Sequence, residues 1–526
     1  MEINNPNFKF VVVGGGTAGW LTALKMKTMN PQSSVTVIES ADIGILGAGE
    51  GTTPHFHDFL KAIDVDFSDF VKQSHATVKN GIKFTNWNGD GDCFFHPFSD
   101  NQELSYANFY HDSRQTIYAG FNALVMDLLQ QGKTMDQACF SAITSYNDQV
   151  RYQPLTSTGS KSGQPITHFR QLGVHAWHFD ANLLAQYLKS VGVQRGIRLV
   201  IGTVTDIISK ENGNISRLLL DNQDPVDCDF VFDCTGFRRL LIGRHFKSNW
   251  RSWQKHLPVK RALPFFLPET SQLPPYTESI AMKHGWVWRI PVQGRYGCGY
   301  VFDSNRISDD QAHDELVDWS GTDIVSPRTF SFEPGAYEKT WMGNCVALGL
   351  STGFIEPLEA TSIWVTITSL NMFFTELSGV IFDDQKSRDR FNHKVFLLNE
   401  HIMHFIYFHY MTQRKDSDFW TRFKLDNIMP EGLAITLEQA SSLDFSAELH
   451  TTTVFGKTAY IAVGAGTKFF DRQQAEMRFL TMIHGEGQQL YQRARQDFLR
   501  NIYLNSRATI SHRWFLNYVM TGRINN

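Results

Sequence analysis

The feature that most constrains this 526-residue chain is the segment GGGTAG at residues 14–19. It has the spacing G-x-G-x-x-G and lies between an apolar run, FKFVVV, and a stretch of helical periodicity, TAGWLTALKMKTM. At this spacing Gly14 permits a tight turn, Gly16 lets the backbone approach a pyrophosphate, and Gly19 lets the helix pack closely on the strand. The helix N-terminus also offers N–H groups to phosphates. The segment therefore predicts dinucleotide binding on a strand–turn–helix unit.

The rest of the chain favours FAD as the dinucleotide. Glu39 ends a second strand, SVTVIES, where a carboxylate accepts a hydrogen bond from a ribose hydroxyl. Two later strands run into glycines, in FVFDCTGFRRLL (230–241) and GNCVALGLSTGF (343–354). Such returns resemble FAD-containing monooxygenase-type folds. There is no second fingerprint for NAD(P)H, although some flavin hydroxylases bind NADPH without one. We therefore expect a tightly bound flavin whose electrons are delivered from outside this chain.

Composition and charge exclude several classes of function. The net charge is −4 and the basic residues are scattered, unlike the basic surface of a nucleic-acid-binding protein. The six cysteines form no CxxC pair, which argues against structural zinc and a disulfide framework. The N-terminus has no signal-peptide pattern, and the apolar stretch at 362–374 is too short and too rich in Ser and Thr to span a bilayer. We expect a cytoplasmic enzyme.

The periodicity predicts an α/β fold. We expect a FAD-binding Rossmann-type, monooxygenase-like domain over residues 1–380 that also carries substrate-site segments, and a mainly helical substrate-binding module over residues 381–526. Three stretches suit long helices: EATSIWVTITSLNMFFTEL, NHKVFLLNEHIMHFIYFHYM and QQLYQRARQDFLRNIYLN.

The segment GWVWRIPV (285–292) predicts a strand with paired indoles. Because strand side chains alternate, Trp286 and Trp288 share one face and Val287 takes the other. Pro291 is expected to end the strand. Core packing explains two neighbouring tryptophans in most proteins.

Four motifs together resemble one family. GGGTAGW, GAGEGTTP (47–54), WVWRIP and GFIEPLEATS (353–362) occur in this order in flavin-dependent halogenases of the tryptophan-halogenase branch. The likeness runs from residue 10 to about 420 and ends with HYMTQRKDSDFW (409–420). It implies that FADH2, oxygen and bromide or chloride halogenate an electron-rich aromatic ring by way of hypohalous acid. The paired indoles would then form part of a wall between flavin and substrate, and core packing is compatible with that role.

The resemblance also implies the catalytic residues. Lys79, in TVKNGIKFTNW, matches the catalytic lysine, which binds hypohalous acid by hydrogen bonding or as a haloamine. Glu359, in EPLEATS, matches the active-site glutamate and is expected near a helix N-terminus, where its role could also be structural. Halide is expected on backbone amides near Thr361 and Ser362. The family usually has Ser-Thr-Gly after the glutamate, and the chain instead has an alanine at residue 360, then Thr361 and Ser362.

The same resemblance implies the cofactor and substrate contacts. The cofactor contacts it implies are Gly14, Gly16, Thr17, Ala18, Gly19, Glu39, Gly49, Val204, Leu350 and Ile363. FFHPF (94–98) resembles the segment whose histidine and aromatic ring stack on indole, which points to His96 and Phe98. Free-tryptophan halogenases grip the amino-acid backbone with a cluster that is not recognisable in residues 444–466. Unpaired substrate charges are costly to desolvate, so we expect indole or a simple indole derivative.

The remaining expectations concern partners and rival functions. A separate NAD(P)H-dependent flavin reductase supplies FADH2 in the halogenase interpretation, no metal, nucleic acid or membrane is expected, and a homodimer stays open. Glu400, His401 and His404 look like metal ligands, but the histidine spacing differs from H-E-x-x-H. The alternatives are a flavin-dependent aromatic monooxygenase on the same fold and a non-catalytic flavin-binding redox module.

Overall fold

The computed structural model shows the chain as two compact units, each built from three stretches of sequence. It describes residues 4–41, 49–98, 114–156, 166–171, 174–221, 223–325, 329–377, 384–443, 455–506 and 509–521. Unit one comprises Met1–Ala76, Phe179–Lys260 and Ser331–Glu400. Unit two comprises Thr77–His178, Arg261–Phe330 and His401–Asn526. These units follow from packing. The division by function at residue 380 stays a prediction.

Unit one is organised around a largely parallel sheet, and its first elements confirm the predicted Rossmann-type start. The strands Lys9–Val13 and Ser34–Glu39 are parallel neighbours joined by the helix Thr17–Met29. In spatial order the six strands are Arg198–Ile201, Ser34–Glu39, Lys9–Val13, Phe230–Asp233, Cys345–Ala347 and Trp341–Met342. Only the last pair is antiparallel. Their near-continuous burial explains why these strands read as unbroken apolar runs.

The other elements of unit one are short strands and helices. The strands are Glu50–Gly51, Val204–Ser209, Ile215–Leu220, Val226–Asp227, Trp250–Ser252, Gly335–Tyr337 and Gly353–Phe354. The helices are His55–Ala62, Phe67–Gln73, Ala181–Gln194 and Ser362–Leu377, with helical turns at Gly236–Arg238, Leu240–His245, Gly349–Ser351 and Pro357–Glu359. The helix Gln385–His409 begins in unit one and ends in unit two.

Unit two contains a mainly antiparallel sheet. Six of its strands are neighbours in the order Arg261–Pro268, Arg295–Phe302, Gly285–Val292, Thr277–Ala281, Gly81–Thr85 and Cys93–Pro97. Smaller antiparallel pairs join Thr77–Lys79 to Ala176–Phe179, Gln149–Val150 to Ile510–Ser511, and Tyr152–Thr156 to Ile166–Gln171.

Helices make up most of the rest of unit two. They are Arg114–Gln130, Met135–Ala138, Phe140–Ser145, Asp309–Ser320, Asp418–Asp426, Glu431–Ser441, Lys457–Gly466, Arg472–Met482, Gly487–Ser506 and His512–Thr521. The three long helices predicted from the sequence are confirmed by Ser362–Leu377, Gln385–His409 and Gly487–Ser506. Within the described part of the chain, no helix is long and apolar enough to cross a membrane.

The strand Gly285–Val292, here called the tryptophan strand, confirms the predicted alternation and corrects its predicted end. Val287 packs in an apolar cluster of unit two, while Trp286 and Trp288 are buried with ring centroids 6.3 Å apart. Pro291 does not end the strand, which continues to residue 292. The reason is that the neighbouring strand Thr277–Ala281 pairs only as far as residue 289, so the N–H that Pro291 lacks costs no ladder hydrogen bond on that side.

Candidate active site

The segment Gly14–Gly16, here called the glycine turn, owes its shape to close backbone contacts. Gly14 has φ +120°, and a Cβ there would lie 2.1 Å from the carbonyl oxygen of Cys234. A Cβ on Gly19 would lie 1.8 Å from the carbonyl oxygen of Gly14. A Cβ on Gly16, in contrast, would meet no described atom within 4 Å. The glycine turn is therefore closed on its protein side and open beside Gly16.

The open side of the glycine turn has polar groups suited to a phosphate. The helix Thr17–Met29 begins here without an acidic residue in its first turn. The Thr17 hydroxyl oxygen is buried and has no hydrogen-bond partner among the described residues. Free N–H groups and the dipole at a helix N-terminus favour an anion. Thr17, Ala18 and Gly16 are thus placed as the dinucleotide prediction requires.

Glu39 lies directly over the glycine turn. A Cβ on Gly15 would come within 2.5 Å of Glu39 Oε2, so only glycine fits beneath the carboxylate. Lys189 Nζ pairs with Glu39 Oε1 at 3.1 Å, whereas Oε2 is buried and has no hydrogen-bond partner among the described residues. Lys189, which no sequence motif identified, therefore orients a carboxylate whose second oxygen is available to a ribose hydroxyl.

Both later strand-to-glycine returns contact this region. Cys234 touches Gly14. The preceding residue, Asp233, is fully buried, and its carboxylate accepts five hydrogen bonds, three from backbone N–H groups and two from hydroxyl groups. A Cβ on Gly349 would lie 2.7 Å from Cβ of Ala18, which places the adjacent Leu350 beside the start of the helix. The structure thus brings together most of the predicted cofactor residues.

Three cofactor predictions are placed less directly. Val204 follows Thr203, whose hydroxyl lies 2.9 Å from that of Ser40, just beyond the end of the strand Ser34–Glu39. Gly49 is buried with φ +80°, and Ile363 is buried in the first turn of the helix Ser362–Leu377. Their contact with a cofactor stays a prediction.

Glu50, next to Gly49, is a titratable group that the sequence did not single out. Burial, followed by the nearby Asp180 carboxylate, raises the pKa of Glu50 to about 7. Asp180 itself caps the helix Ala181–Gln194 by accepting two backbone N–H groups. Unit one therefore has a carboxyl group that exchanges a proton near neutral pH.

Lys79 ends the strand Thr77–Lys79, here called the lysine strand, and its side chain has no exposed surface. This burial excludes the surface lysine that its local sequence would otherwise suggest. Lys79 Nζ lies 5.0 Å from the centroid of the Phe98 ring, in cation–π contact. The residue opposite Lys79 in the paired strand is Ala176, which is small and carries no polar side-chain group. The structure therefore joins Lys79 and Phe98, two of the predicted site residues.

A buried histidine lies on the same face of the lysine strand. The Thr77 hydroxyl donates to the Pro291 carbonyl at 2.6 Å, so Thr77 Oγ1 can only accept from His178 Nδ1, at 3.1 Å. His178 Nε2 then accepts from the Thr277 hydroxyl, at 2.9 Å. Burial, followed by the Lys79 ammonium, holds the pKa of His178 well below its usual range. His178 is therefore neutral and does not repel Lys79.

His96 belongs to an aromatic cluster in unit two. Its ring centroid lies 5.4 Å from that of Phe405 and 6.1 Å from that of Phe455, and these two phenylalanines stack at 4.0 Å. Residues 444–454, the first part of the segment 444–466 that departs from the free-tryptophan pattern, lie outside the described residues. His96 is buried among aromatic rings, whereas Phe98 is half-buried and faces the Lys79 ammonium.

Glu359 lies in unit one, at the approach to a helix, as predicted. It is 3% exposed and ends the turn Pro357–Glu359. Ala360 then adopts a left-handed conformation with φ +52°, and the helix Ser362–Leu377 follows. The Thr361 carbonyl accepts the N–H of Val365 at 2.8 Å, which leaves the preceding amides of the first turn directed out of the helix end.

Comparison with known proteins identifies related chains. The family model described as tryptophan halogenase matches residues 9–481. Tryptophan 6-halogenase SttH from Streptomyces toxytricini is 30% identical over 450 residues, covering 84% of both chains. A tryptophan halogenase structure from Shewanella frigidimarina has a TM-score of 0.83 at 26% identity and covers 98% of both chains. BrvH, a flavin-dependent halogenase from Brevundimonas, has a TM-score of 0.79 at 27% identity, covering 97% of this chain and 99% of BrvH. The chain is an enzyme that belongs to the tryptophan halogenase family of flavin-dependent halogenases.

Proposed function

We propose that this enzyme uses FADH2, oxygen and bromide or chloride to halogenate indole or a simple indole derivative. The observation that carries the proposal is the complete burial of the Lys79 ammonium against the Phe98 ring. The motif resemblance matches this residue to the family's catalytic lysine. A lysine is rarely fully buried unless its charge has a partner or a function, because removing that charge from water is costly.

The residues around the glycine turn fit FAD. The space beside Gly16 and the start of the helix Thr17–Met29 suit the pyrophosphate, and the buried oxygen of Glu39 suits a ribose hydroxyl. The predicted contacts Gly49, Val204, Leu350 and Ile363 would complete the cofactor site. Bound reduced flavin would supply the two electrons that activate oxygen, and the activated oxygen would in turn oxidise halide to hypohalous acid.

Lys79 then directs the oxidant. Its ammonium would hold hypohalous acid by hydrogen bonding, or react with it to give a haloamine and water. The neutral His178 adds no positive charge beside the ammonium, which contacts the Phe98 ring. A positively charged neighbour would weaken the hold on the oxidant, so a neutral imidazole suits this position.

Glu359 and the following helix would complete the substitution. As the ring carbon bonds to the halogen, the Glu359 carboxylate stabilises the cationic arene and accepts the ring proton. Hydroxide released from hypohalous acid takes up a proton and leaves as water. The first-turn amides after Thr361 and Ser362 would bind halide, since a helix N-terminus favours anions.

The setting of Phe98 and His96 supports an uncharged aromatic substrate. His96 contacts the Phe405 and Phe455 rings, and the following helix, Lys457–Gly466, is almost wholly buried. Aromatic side chains of this kind can stack on an indole ring. The ammonium and carboxylate of free tryptophan would be costly to bury beside the Phe405 and Phe455 rings, which cannot pair with either charge.

The proposal includes a partner and a compartment. A separate NAD(P)H-dependent flavin reductase would supply FADH2, since a single dinucleotide fingerprint is present in the sequence. We place the enzyme in the cytoplasm, where such reductases and NADH are available.

A coupled assay tests the proposal. The purified enzyme, a flavin reductase, NADH, FAD and equal bromide and chloride are incubated with indole, tryptophan or phenol, and products are identified by halogen isotope patterns in mass spectrometry. We expect halogenated indole as the main product and little halogenated tryptophan. An oxygenated product formed equally well without halide would establish the monooxygenase instead. No product from any arene would leave the non-catalytic flavin module.

A further inference from the structure

The lysine strand lies at the edge of its small sheet. Among the described residues, no strand pairs with its outer edge. Its other edge pairs with Ala176–Phe179 in antiparallel register. On the open edge, the N–H of Val78 donates to His512 Nε2 at 2.9 Å, and the N–H of Asn80 donates to the Pro275 carbonyl at 2.7 Å. A buried N–H without an acceptor costs free energy, so the Val78 bond matters for the position of this edge.

His512 is built to accept that hydrogen bond. It is fully buried, and its Nδ1 donates to the Leu273 carbonyl at 2.8 Å. With the ring proton on Nδ1, Nε2 carries the lone pair that the Val78 N–H requires. Burial lowers the pKa of His512 to about 4, so the imidazole stays neutral in the neutral pH range. A protonated ring would offer Val78 a second N–H in place of an acceptor.

The segment that carries His512 is anchored independently of the lysine strand. Ile510–Ser511 pairs with Gln149–Val150, and the His512 N–H donates to the Asp148 carbonyl at 3.0 Å. Arg513 forms an ion pair with Glu269 at 2.7 Å. The ring therefore has a fixed position from which to hold Val78.

We propose that His512, on the helix His512–Thr521, is a positioning residue that holds the lysine strand so that the Lys79 ammonium stays in place for halogen transfer. His512 lies beyond residues 9–481, the part matched by the family model. The inference rests on the proposed function of Lys79. The Val78 contact one residue away is the observation that carries it.

Two substitutions separate the two hydrogen bonds of the ring. In His512→Gln, the side-chain amide reaches the position of Nε2 and its oxygen can accept the Val78 N–H. In His512→Asn, the shorter amide reaches only the position of Nδ1. It can therefore donate to the Leu273 carbonyl but cannot accept the N–H of Val78. Arg513→Gln is the matched control, because it weakens the attachment of the same helix without touching Val78.

The first measurement is amide hydrogen exchange at single-residue resolution. In the wild type, we expect the Val78 amide to exchange at least about 1000-fold more slowly than an unprotected amide. Exchange at residues 77–80 should rise at least about tenfold in His512→Asn and much less in His512→Gln and Arg513→Gln. A Val78 amide that exchanges freely in the wild type would overturn the proposal even if a variant failed to fold.

The second measurement is steady-state halogenation of indole. A small displacement of a catalytic group costs up to about 100-fold in rate, so kcat of His512→Asn should fall between about 10- and 100-fold, with the KM for indole within about twofold. His512→Gln should recover kcat to within about threefold of the wild type. Equal losses in both His512 variants, or none, would overturn the proposal. An inactive wild type would instead refute the proposed function, and the exchange data would still judge His512.

Discussion

The glycine turn and the lysine strand are built on opposite principles. The turn needs residues without a Cβ, because a side chain on Gly14 or Gly19 would overlap a backbone oxygen. The lysine strand instead depends on hydrogen bonds to side chains that are distant in sequence. It bonds directly to His178 and His512, and His178 bonds in turn to Thr277. Adding atoms should therefore break the first region, and removing atoms should break the second.

Lys79→Met provides the largest test of this difference. Methionine keeps the length and apolar packing of the side chain but removes the ammonium, so indole halogenation should fall by at least about 1000-fold while flavin affinity stays unchanged. The measurement is kcat for halogenated indole together with flavin titration. Lys83→Met is the matched control, since Lys83 pairs with Glu278 at 3.3 Å and has no assigned role in the chemistry. Equal losses in both variants would remove the special role of Lys79.

The pH dependence of stability gives the next effect. The pKa of His512 falls from 6.5 in the unfolded chain to about 4 in the folded chain. As the pH falls from 6.5 to 4, the unfolded chain therefore binds a proton at this residue and the folded chain does not. The free energy of unfolding should therefore fall by about 3 kcal/mol through this residue as the pH is lowered from 6.5 to 4. Urea unfolding measures the free energy of unfolding of the wild type and of His512→Gln across this pH range. The contributions of other titratable groups cancel when one curve is subtracted from the other. Parallel curves for the two proteins would contradict the assignment.

In unit one, Gly19→Ala and Gly16→Ala form a contrasting pair. The new Cβ at residue 19 overlaps a backbone oxygen, so unfolding free energy should fall by about 2 kcal/mol, within the usual cost of overpacking. The Cβ at residue 16 enters open space, so stability should change by less than about 0.5 kcal/mol while FAD affinity drops about tenfold. Thermal unfolding and flavin titration measure the two effects. A stable Gly19→Ala would show that the turn can relax.

Ala360→Gly should give the smallest effect, and a favourable one. Residue 360 has φ +52°, a conformation that costs a residue with a Cβ about 1 kcal/mol more than glycine. Relief of this strain, offset by the greater freedom of glycine in the unfolded chain, should raise unfolding free energy by about 0.5 kcal/mol. Thermal unfolding measures it. A loss of stability would mean that the methyl group makes packing contacts worth more than the strain.

Local patterns predicted the elements of the sheet and the long helices, because periodicity and glycine spacing act over a few residues. They also located the alternation of the tryptophan strand. The predicted end at Pro291 was wrong because it depended on how far the neighbouring strand pairs, which is tertiary information. The partners of the lysine strand could not be predicted, since Val78 and His512 are 434 residues apart and share no pattern. Lys189 was missed for the same reason.

The order of the six stretches has a consequence for how the protein forms on the ribosome. They alternate between the units, so no single cut in the chain releases either one. The strand Lys9–Val13 can gain its neighbour Phe230–Asp233 only after nearly half of the chain exists, and that strand can gain Cys345–Ala347 only after about two thirds of it exists. At about 5–20 residues per second, synthesis leaves these apolar edges open for tens of seconds. The nascent chain should therefore depend on chaperones at least until the strand Cys345–Ala347 has been made.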